Sequence, residues 1–257
     1  MSSCARKLPS RILEKVWGAP DTAPWLEPDG RRIGEVWFDP ESMPIRIKFI
    51  FTSERLSVQV HPAGVQSKTE MWYILRTGEG ASLALGFREE ISLEHMRVAA
   101  EDGSIEQLLH WLPIAPGETY FVPAGTVHAI GANVVLCEIQ QKLDLTYRLY
   151  DYARPRELHL EQALEWAVGA PWTPHRPPHN ARRPWQRLVE CRYFVTDLTS
   201  TDKPFDVEPC ALVVVAGSGA IAGEPFQVGE CWEIEGGPVR VEPCPGTRLL
   251  RTMPPLV

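Results

Sequence analysis

Strand-forming runs of apolar and alternating residues recur along the chain, and they predict a protein built mainly of β-strands. Side chains two apart in a strand share a face. The run PIRIKFIF at residues 44–51 therefore puts Ile45, Ile47 and Phe49 on one face, and two cationic side chains with one isoleucine on the other. Other strand-like runs lie at residues 34–38, 55–61, 71–75, 82–87, 119–122 and 134–141.

Two stretches have a different period. Between residues 89 and 111 apolar residues recur three and four apart, which predicts a small helical insertion. A further helix is predicted for residues 157–168. The 24 prolines and 19 glycines are spread along the chain, which suits many short strands and turns better than long helices.

A Pro-rich segment divides the chain into two predicted units. Residues 171–184 show no periodicity and are expected to form a linker or an extended crossover. They separate a domain of residues 1–170 from a second β domain of residues 185–257. No histidine follows His179, so the C-terminal unit lacks the usual imidazole ligands and is interpreted as structural. Its predicted strands lie at residues 187–198, 212–215, 225–227, 231–234 and 239–241.

Composition narrows the class of partner. The chain has 257 residues, 44% of them hydrophobic and 23% charged, which is typical of a soluble globular protein. A net charge of −7 argues against nucleic acid, because no basic surplus is present to neutralise phosphates. A small anionic substrate needs only one or two local cations and stays possible. The expected oligomeric state is a monomer or a weak homodimer.

Cysteine usage and the N-terminus indicate the compartment. The six cysteines are scattered without a CxxC pair, so we expect reduced thiols and neither a disulfide framework nor a Cys-rich zinc site. The first residues contain no apolar signal region, and no apolar run is long enough to cross a membrane. These features favour a cytoplasmic protein without membrane contact.

The most informative stretch is GETYFVPAGTVH at residues 117–128. A strand-like run ends at Pro123, Gly125 allows a tight turn, and His128 follows where extended structure resumes. A rigid hairpin that aims one imidazole into a barrel provides a good metal ligand. The alternative is a hairpin with a surface histidine. The pattern G-x5-P-x-G-x2-H resembles the second signature motif of the cupin family of β-barrels, which implies jelly-roll barrels.

Two upstream segments offer further candidate ligands. In RLSVQVH, Gln59 and His61 share one strand face and could project together into a polar cavity. The alternative is an edge strand whose polar face meets water. Lys68 and Glu70 also lie two apart, at the start of the next strand, where a surface ion pair is the simpler interpretation. The candidate ligands Gln59, His61, Glu70 and His128 form a mixed nitrogen and oxygen set suited to zinc or another divalent first-row ion.

Two more charged residues lie in apolar surroundings downstream. Glu138 occurs within the strand VVLCEIQQ, where it is either a solvated residue at the barrel end or a carboxylate in the cavity that can act as a base. Arg148 lies among apolar and aromatic residues, and an arginine in that setting usually pairs with a carboxylate or binds an anion.

Taken together, the segments resemble the type I phosphomannose isomerases of the short bacterial kind. The matching segments are EKVWG, GEVW, LSVQVHP, KTEMWYIL, GETYFVPAGTVHAIG and EIQQ followed by TYRLYDYARPRELH, all between residues 14 and 159. The resemblance implies interconversion of mannose 6-phosphate and fructose 6-phosphate, with one zinc ion per chain. The implied residues are Gln59, His61, Glu70 and His128 for the metal, Glu138, Lys68 and Arg148 for catalysis, and Lys68, Arg148 and Asp144 for the substrate.

The chain departs from the family pattern in three places. The loop between Pro62 and Lys68 is shorter than usual, Leu143 stands where a serine commonly precedes the aspartate, and the C-terminal half is divergent. Two other hypotheses therefore stay open. One is a non-catalytic cupin module that binds or senses a sugar phosphate, which would not need Lys68, Glu138 and Arg148 together. The other is a metal-dependent oxygenase on the same barrel, which would favour iron.

Overall fold

A computed structural model describes residues 4–175 and 184–255. This part of the chain is mainly β, as predicted, with 21 strands and three α-helices. The strands of the first 175 residues are β1 Cys4–Lys7, β2 Arg11–Ala19, β3 Ile33–Phe38, β4 Ile45–Phe51, β5 Val58–Val60, β6 Glu70–Thr77, β7 Ser82–Phe87, β8 Leu109–Pro113, β9 Thr119–Val122, β10 His128–Ile130, β11 Val134–Gln141 and β12 Tyr147–Tyr150. Those that follow are β13 Trp185–Glu190, β14 Val195–Thr199, β15 Phe205–Val207, β16 Cys210–Ala216, β17 Ser218–Ile221, β18 Glu224–Gln227, β19 Cys231–Glu235, β20 Val239–Pro243 and β21 Arg248–Met253.

The helices are α1 Leu93–Asp102, α2 Ile105–Leu108 and α3 Leu160–Trp166. Helix α1 begins after Ser92, whose hydroxyl accepts a hydrogen bond from the His95 amide, and it ends at Gly103 in the left-handed conformation. The predicted helical insertion at residues 89–111 is therefore present, but its last part is strand β8, which pairs with β7. None of the helices in the described ranges is long and apolar enough to span a bilayer.

Two antiparallel sheets form the N-terminal barrel. One has the strand order β2-β3-β4-β11-β6-β9, and the other has the order β12-β5-β10-β7-β8. Apolar side chains from both sheets meet between them, among them Trp72, Leu85 and Leu136. The predicted strand at residues 55–61 is reduced to Val58–Val60, because Pro62 cannot donate a ladder hydrogen bond and Leu56 bonds outside the strand, to the Ile130 carbonyl.

The C-terminal unit is also built of two sheets. Their orders are β1-β19-β16-β21-β14-β13 and β15-β20-β17-β18. Its interior is filled by apolar side chains that include Leu212, Phe226 and Trp232. The predicted single strand at residues 187–198 is two strands that fold back on each other at Cys191–Phe194. Strands β15, β17 and β21 were not predicted, and the first two of them have only three and four residues.

The two units share one apolar core. The outward face of β4 and β11 carries Phe49 and Cys137, which belong to the same buried cluster as Val213, Cys231 and Leu250 of the C-terminal unit. Strand β1 also crosses over and pairs with β19. The division at residues 171–184 stays a prediction, since residues 176–183 lie outside the described ranges, as does His179.

Candidate active site

The predicted metal ligands come from both sheets of the N-terminal barrel. Gln59 on β5 and His128 on β10 are cross-strand partners in one sheet, and His61 follows directly after β5. Glu70 is the first residue of β6 in the opposite sheet. Gln59, His61 and His128 project from one sheet towards Glu70 on the other. The structure therefore brings these four side chains together.

The group is compact and buried. His61 Nε2 lies 3.2 Å from Glu70 Oε2, and His128 Nε2 lies 3.6 Å from Glu70 Oε1. The ligand atoms of His61, Glu70 and His128 all fall within 4.8 Å of one another. The Gln59 amide nitrogen lies 3.2 Å from His128 Nε2. Since amide nitrogen and oxygen exchange places by a half-turn, Gln59 can also present its oxygen there.

Backbone carbonyls orient both imidazoles. His61 Nδ1 lies 3.0 Å from the Leu145 carbonyl oxygen, and His128 Nδ1 lies 2.8 Å from that of Thr126. A carbonyl can only accept, so each Nδ1 carries the proton and each Nε2 keeps a lone pair. Burial and the Lys68 charge lower the pKa of His61 to about 3, with Glu70 acting in the opposite direction. Burial likewise lowers the pKa of His128.

These residues fit a divalent cation. Both carboxylate oxygens of Glu70 are buried and have no well-aligned hydrogen-bond donor in the part of the chain that the structure describes. Burial alone would raise the pKa of Glu70, but the charge of Lys68 acts against burial and the pKa lies well below its usual value, so the group is anionic. Two neutral imidazoles, one carboxylate and one amide oxygen match the donor preferences of zinc.

Lys68 lies against the same group. Its Nζ atom is 2.9 Å from His61 Nε2 and 3.1 Å from Glu70 Oε2, and the side chain is buried. The loop that carries it is held by Gln141, whose side-chain oxygen accepts hydrogen bonds from Ser67 and from the Thr69 amide. Tyr193 of the C-terminal unit donates a hydrogen bond to Ser67 at 3.2 Å. The position of Lys68 thus depends on both units.

A cavity of about 410 Å³ opens beside this group, between the two sheets. Cross-strand neighbours form one row across the sheet, in the order Trp72, Glu138, Lys48, Trp37 and Arg11, and all of them except Trp72 line the cavity. Glu138 accepts a hydrogen bond from Trp72 Nε1 at 3.0 Å and lies 2.9 Å from Lys48 Nζ. Glu138 is therefore in the cavity wall and not in solvent at the barrel end.

The other two predicted substrate residues also line the cavity. Arg148 on β12 is half-buried and donates a hydrogen bond to the Glu157 carbonyl at 3.2 Å. Asp144 lies at the rim with its side chain 68% exposed, 4.0 Å from Arg46. Glu35, Trp37 and Lys48 are cavity residues that sequence reasoning missed. The signal available for Lys48 was its place on the polar face of residues 44–51.

Comparison with known proteins identifies the family. No protein-family model matches the sequence. Mannose-6-phosphate isomerase ManA of Bacillus subtilis is 32% identical over 239 residues, which cover 78% of this chain and 75% of ManA. The chain belongs to the mannose-6-phosphate isomerase family. Like the other members of this family, it is an isomerase.

Solved structures of mannose-6-phosphate isomerases share the fold. The enzyme from Bacillus subtilis superposes with a TM-score of 0.84 at 23% identity, over 96% of this chain and 98% of that chain. A zinc-bound mannose 6-phosphate isomerase superposes with a TM-score of 0.74 at 15% identity, over 98% of this chain and 100% of that chain. These structural matches confirm the predicted β fold, and the relation to ManA confirms the predicted family. The roles of individual residues stay predictions.

Proposed function

We propose that the protein interconverts mannose 6-phosphate and fructose 6-phosphate, with one zinc ion held by Gln59, His61, Glu70 and His128. The observation that carries the proposal is the buried His–Glu–His group at the edge of a cavity lined by basic side chains. Membership of the mannose-6-phosphate isomerase family supports the choice of substrate, and the zinc-bound family structure supports the choice of metal.

The four ligands can hold the ion in their present protonation states. The imidazoles are neutral, their lone pairs face Glu70, and Glu70 supplies one negative charge. When bound, zinc supplies a positive charge that stabilises the oxyanion developing on the sugar as a proton moves between C1 and C2. The remaining steps are assigned to side chains of this chain.

The proton transfer needs one base that faces the sugar carbons. In the direction from aldose to ketose, the base takes the C2 proton and the electron pair forms the C1–C2 double bond of an enediolate. The same group then returns a proton to C1, while the hydroxyl proton passes from O2 to O1. Glu138 is our first candidate because it is a buried carboxylate in the cavity wall. Lys68, beside the metal ligands, is the second candidate.

Arg148 and Asp144 are proposed to bind substrate. Among the described residues, the Arg148 guanidinium donates one hydrogen bond, to the Glu157 carbonyl, so its other N–H groups can bind an anion. Asp144 at the rim can accept hydrogen bonds from sugar hydroxyls. Replacing Arg148 by lysine should be harmful although the charge is kept, since a planar two-pronged donor becomes a point charge.

Solvent deuterium exchange into C2 of the substrate tests the assignment. Glu138→Gln should lower kcat by roughly 10²–10⁴-fold and slow exchange equally, with little change in KM. The matched control is Glu89→Gln, at an exposed site outside the cavity. If Glu138→Gln exchanges at the wild-type rate, Lys68 becomes the base. If the zinc-loaded wild-type protein binds mannose 6-phosphate without turnover, the non-catalytic module is the correct function.

A further inference from the structure

The basic residues of the cavity differ in whether a carboxylate neutralises them. Six lysine and arginine side chains line the cavity, and four of them lie within 4.0 Å of a carboxylate oxygen. The two without such a partner among the described residues are Arg11 and Arg148. The four neutralised pairs are Lys15 with Glu35 at 3.5 Å, Lys48 with Glu138 at 2.9 Å, Lys68 with Glu70 at 3.1 Å, and Arg156 with Asp151 at 2.5 Å.

Arg11 reaches the cavity from the edge strand β2. Every second side chain of this strand faces the cavity, namely Arg11, Leu13, Lys15 and Trp17. The Arg11 guanidinium carbon lies 5.3 Å from the centre of the Trp37 ring. Contact with the ring face restrains the side chain but uses none of its N–H groups, which leaves them available to a ligand.

Arg148 reaches the same cavity from β12, which is the edge strand of the other sheet. Burial and the positive charge of Arg156 lower the pKa of the Arg148 guanidinium, against the effect of Asp151. The cavity therefore has two edge strands that each supply one arginine without a carboxylate partner. A bound anion would relieve the repulsion that Arg148 experiences.

We propose that Arg11 binds the phosphate group of the substrate together with Arg148 and so selects phosphorylated sugars. This inference rests on the proposed function. A phosphate monoester carries nearly two negative charges at pH 7, which two arginines can match, and the remaining basic residues of the cavity are already neutralised.

The position of Arg11 agrees with the length of such a substrate. Arg11 lies three strands from Glu138 in the same cross-strand row, which separates their backbones by roughly 14 Å at the usual strand spacing. Its long side chain extends back over Trp37. The phosphate on C6 of a hexose is remote from C1 and C2, so the group that binds it must likewise lie away from the base.

The test compares Arg11→Met with Arg88→Ala as the control. The methionine keeps an unbranched side chain at this position and removes the charge, while Arg88 is exposed and away from the cavity. For mannose 6-phosphate we expect KM to rise about 10- to 100-fold in Arg11→Met with kcat nearly unchanged. The kcat/KM for unphosphorylated mannose should stay at the wild-type value, and the inhibition constant of inorganic phosphate should rise by the same factor as KM.

Two results would overturn the inference while the proposed function stands. One is an unchanged KM for mannose 6-phosphate in Arg11→Met. The other is an equal loss of kcat/KM for mannose, which indicates a structural role. If the wild-type protein does not turn over mannose 6-phosphate, the proposed function fails. Tryptophan fluorescence titration with inorganic phosphate then tests whether Arg11 binds phosphate. Weaker phosphate binding by Arg11→Met than by Arg88→Ala then supports the inference, and equal binding rejects it.

Discussion

Lys48 Nζ lies 2.9 Å from Glu138 Oε1, and both side chains are buried in the cavity wall. The two residues are directly opposite each other on the neighbouring strands β4 and β11. Burial alone would lower the pKa of Lys48, but Glu138 and Glu35 outweigh it and raise the pKa above its usual value. Lys48 is therefore charged at neutral pH and stabilises the carboxylate that we propose as the base.

Removing Lys48 should destabilise the fold. In Lys48→Met the buried carboxylate of Glu138 keeps, among the described residues, only the hydrogen bond from the Trp72 N–H. We therefore expect the free energy of unfolding to fall by about 3–5 kcal/mol in urea denaturation. The double variant Lys48→Met, Glu138→Leu should recover part of this loss, because no charge is left unpaired. A double variant that loses the sum of the two single effects would show that the pair is not coupled.

Glu233 should make stability depend on pH in the acid range. It is fully buried, accepts hydrogen bonds from the Ser42 amide and hydroxyl at 2.8 and 2.6 Å, and pairs with Arg6 at 2.7 Å. Burial would raise its pKa, but Ser42 and Arg6 outweigh that effect, and the pKa lies below its usual value of 4.5. A carboxyl with a lowered pKa in the folded state stabilises the fold fully at pH values above its pKa in the unfolded chain. This stabilisation is lost as the pH falls through the folded-state pKa.

Glu233→Gln should therefore lower the free energy of unfolding at pH 7 by about 1–3 kcal/mol. The difference from wild type should begin to shrink as the pH falls below about 4.5, because the carboxyl of the unfolded chain then takes up protons while the folded one stays ionised, and it should level off once the folded-state carboxyl is protonated too. Urea denaturation at several pH values measures it, with Glu224→Gln at an exposed site of the same unit as the control. A difference that stays constant down to the acid limit would contradict this account.

Metal content should depend on the N-terminal barrel alone. We expect one zinc ion per chain by elemental analysis, and its loss in His61→Ala and His128→Ala, with His95→Ala as the control. Chelation should abolish isomerisation with a small effect on far-UV circular dichroism, because both apolar cores form without the ligands. Two tightly bound metals per chain, or metal retained in the double histidine variant, would reject the site.

The short loop after Pro62 should reduce substrate selectivity. The loop is closed by a hydrogen bond from the Lys68 amide to the Pro62 carbonyl at 3.1 Å, and Val65 at its tip is fully exposed. A rim shortened in this way should discriminate mannose 6-phosphate from related phosphorylated aldoses by no more than about 10²-fold in kcat/KM. Steady-state kinetics with a panel of hexose 6-phosphates measures the ratio, and strict selectivity would show that the rim is not the determinant.

The alternation of side chains predicted most of the strands and the convergence of Gln59 with His61, because both depend on local backbone geometry. The same rule did not say which face of residues 44–51 points inward. The apolar face packs on the C-terminal unit, and the Lys48 face lines the cavity. Which face points inward depends on a second unit, and so does the contact of Tyr193 with Ser67.

The core shared by the two units has a consequence for how the chain can be cut. A fragment that ends at residue 175 would carry every proposed metal ligand, yet it would present the bare outer face of β4 and β11, with Phe49, Phe51 and Ile139, to water. Strand β1 would also lose its neighbour β19. Such a flat apolar sheet favours self-association. The C-terminal unit, which has no ligands, thus covers the apolar outer face of the barrel that has them and keeps it soluble.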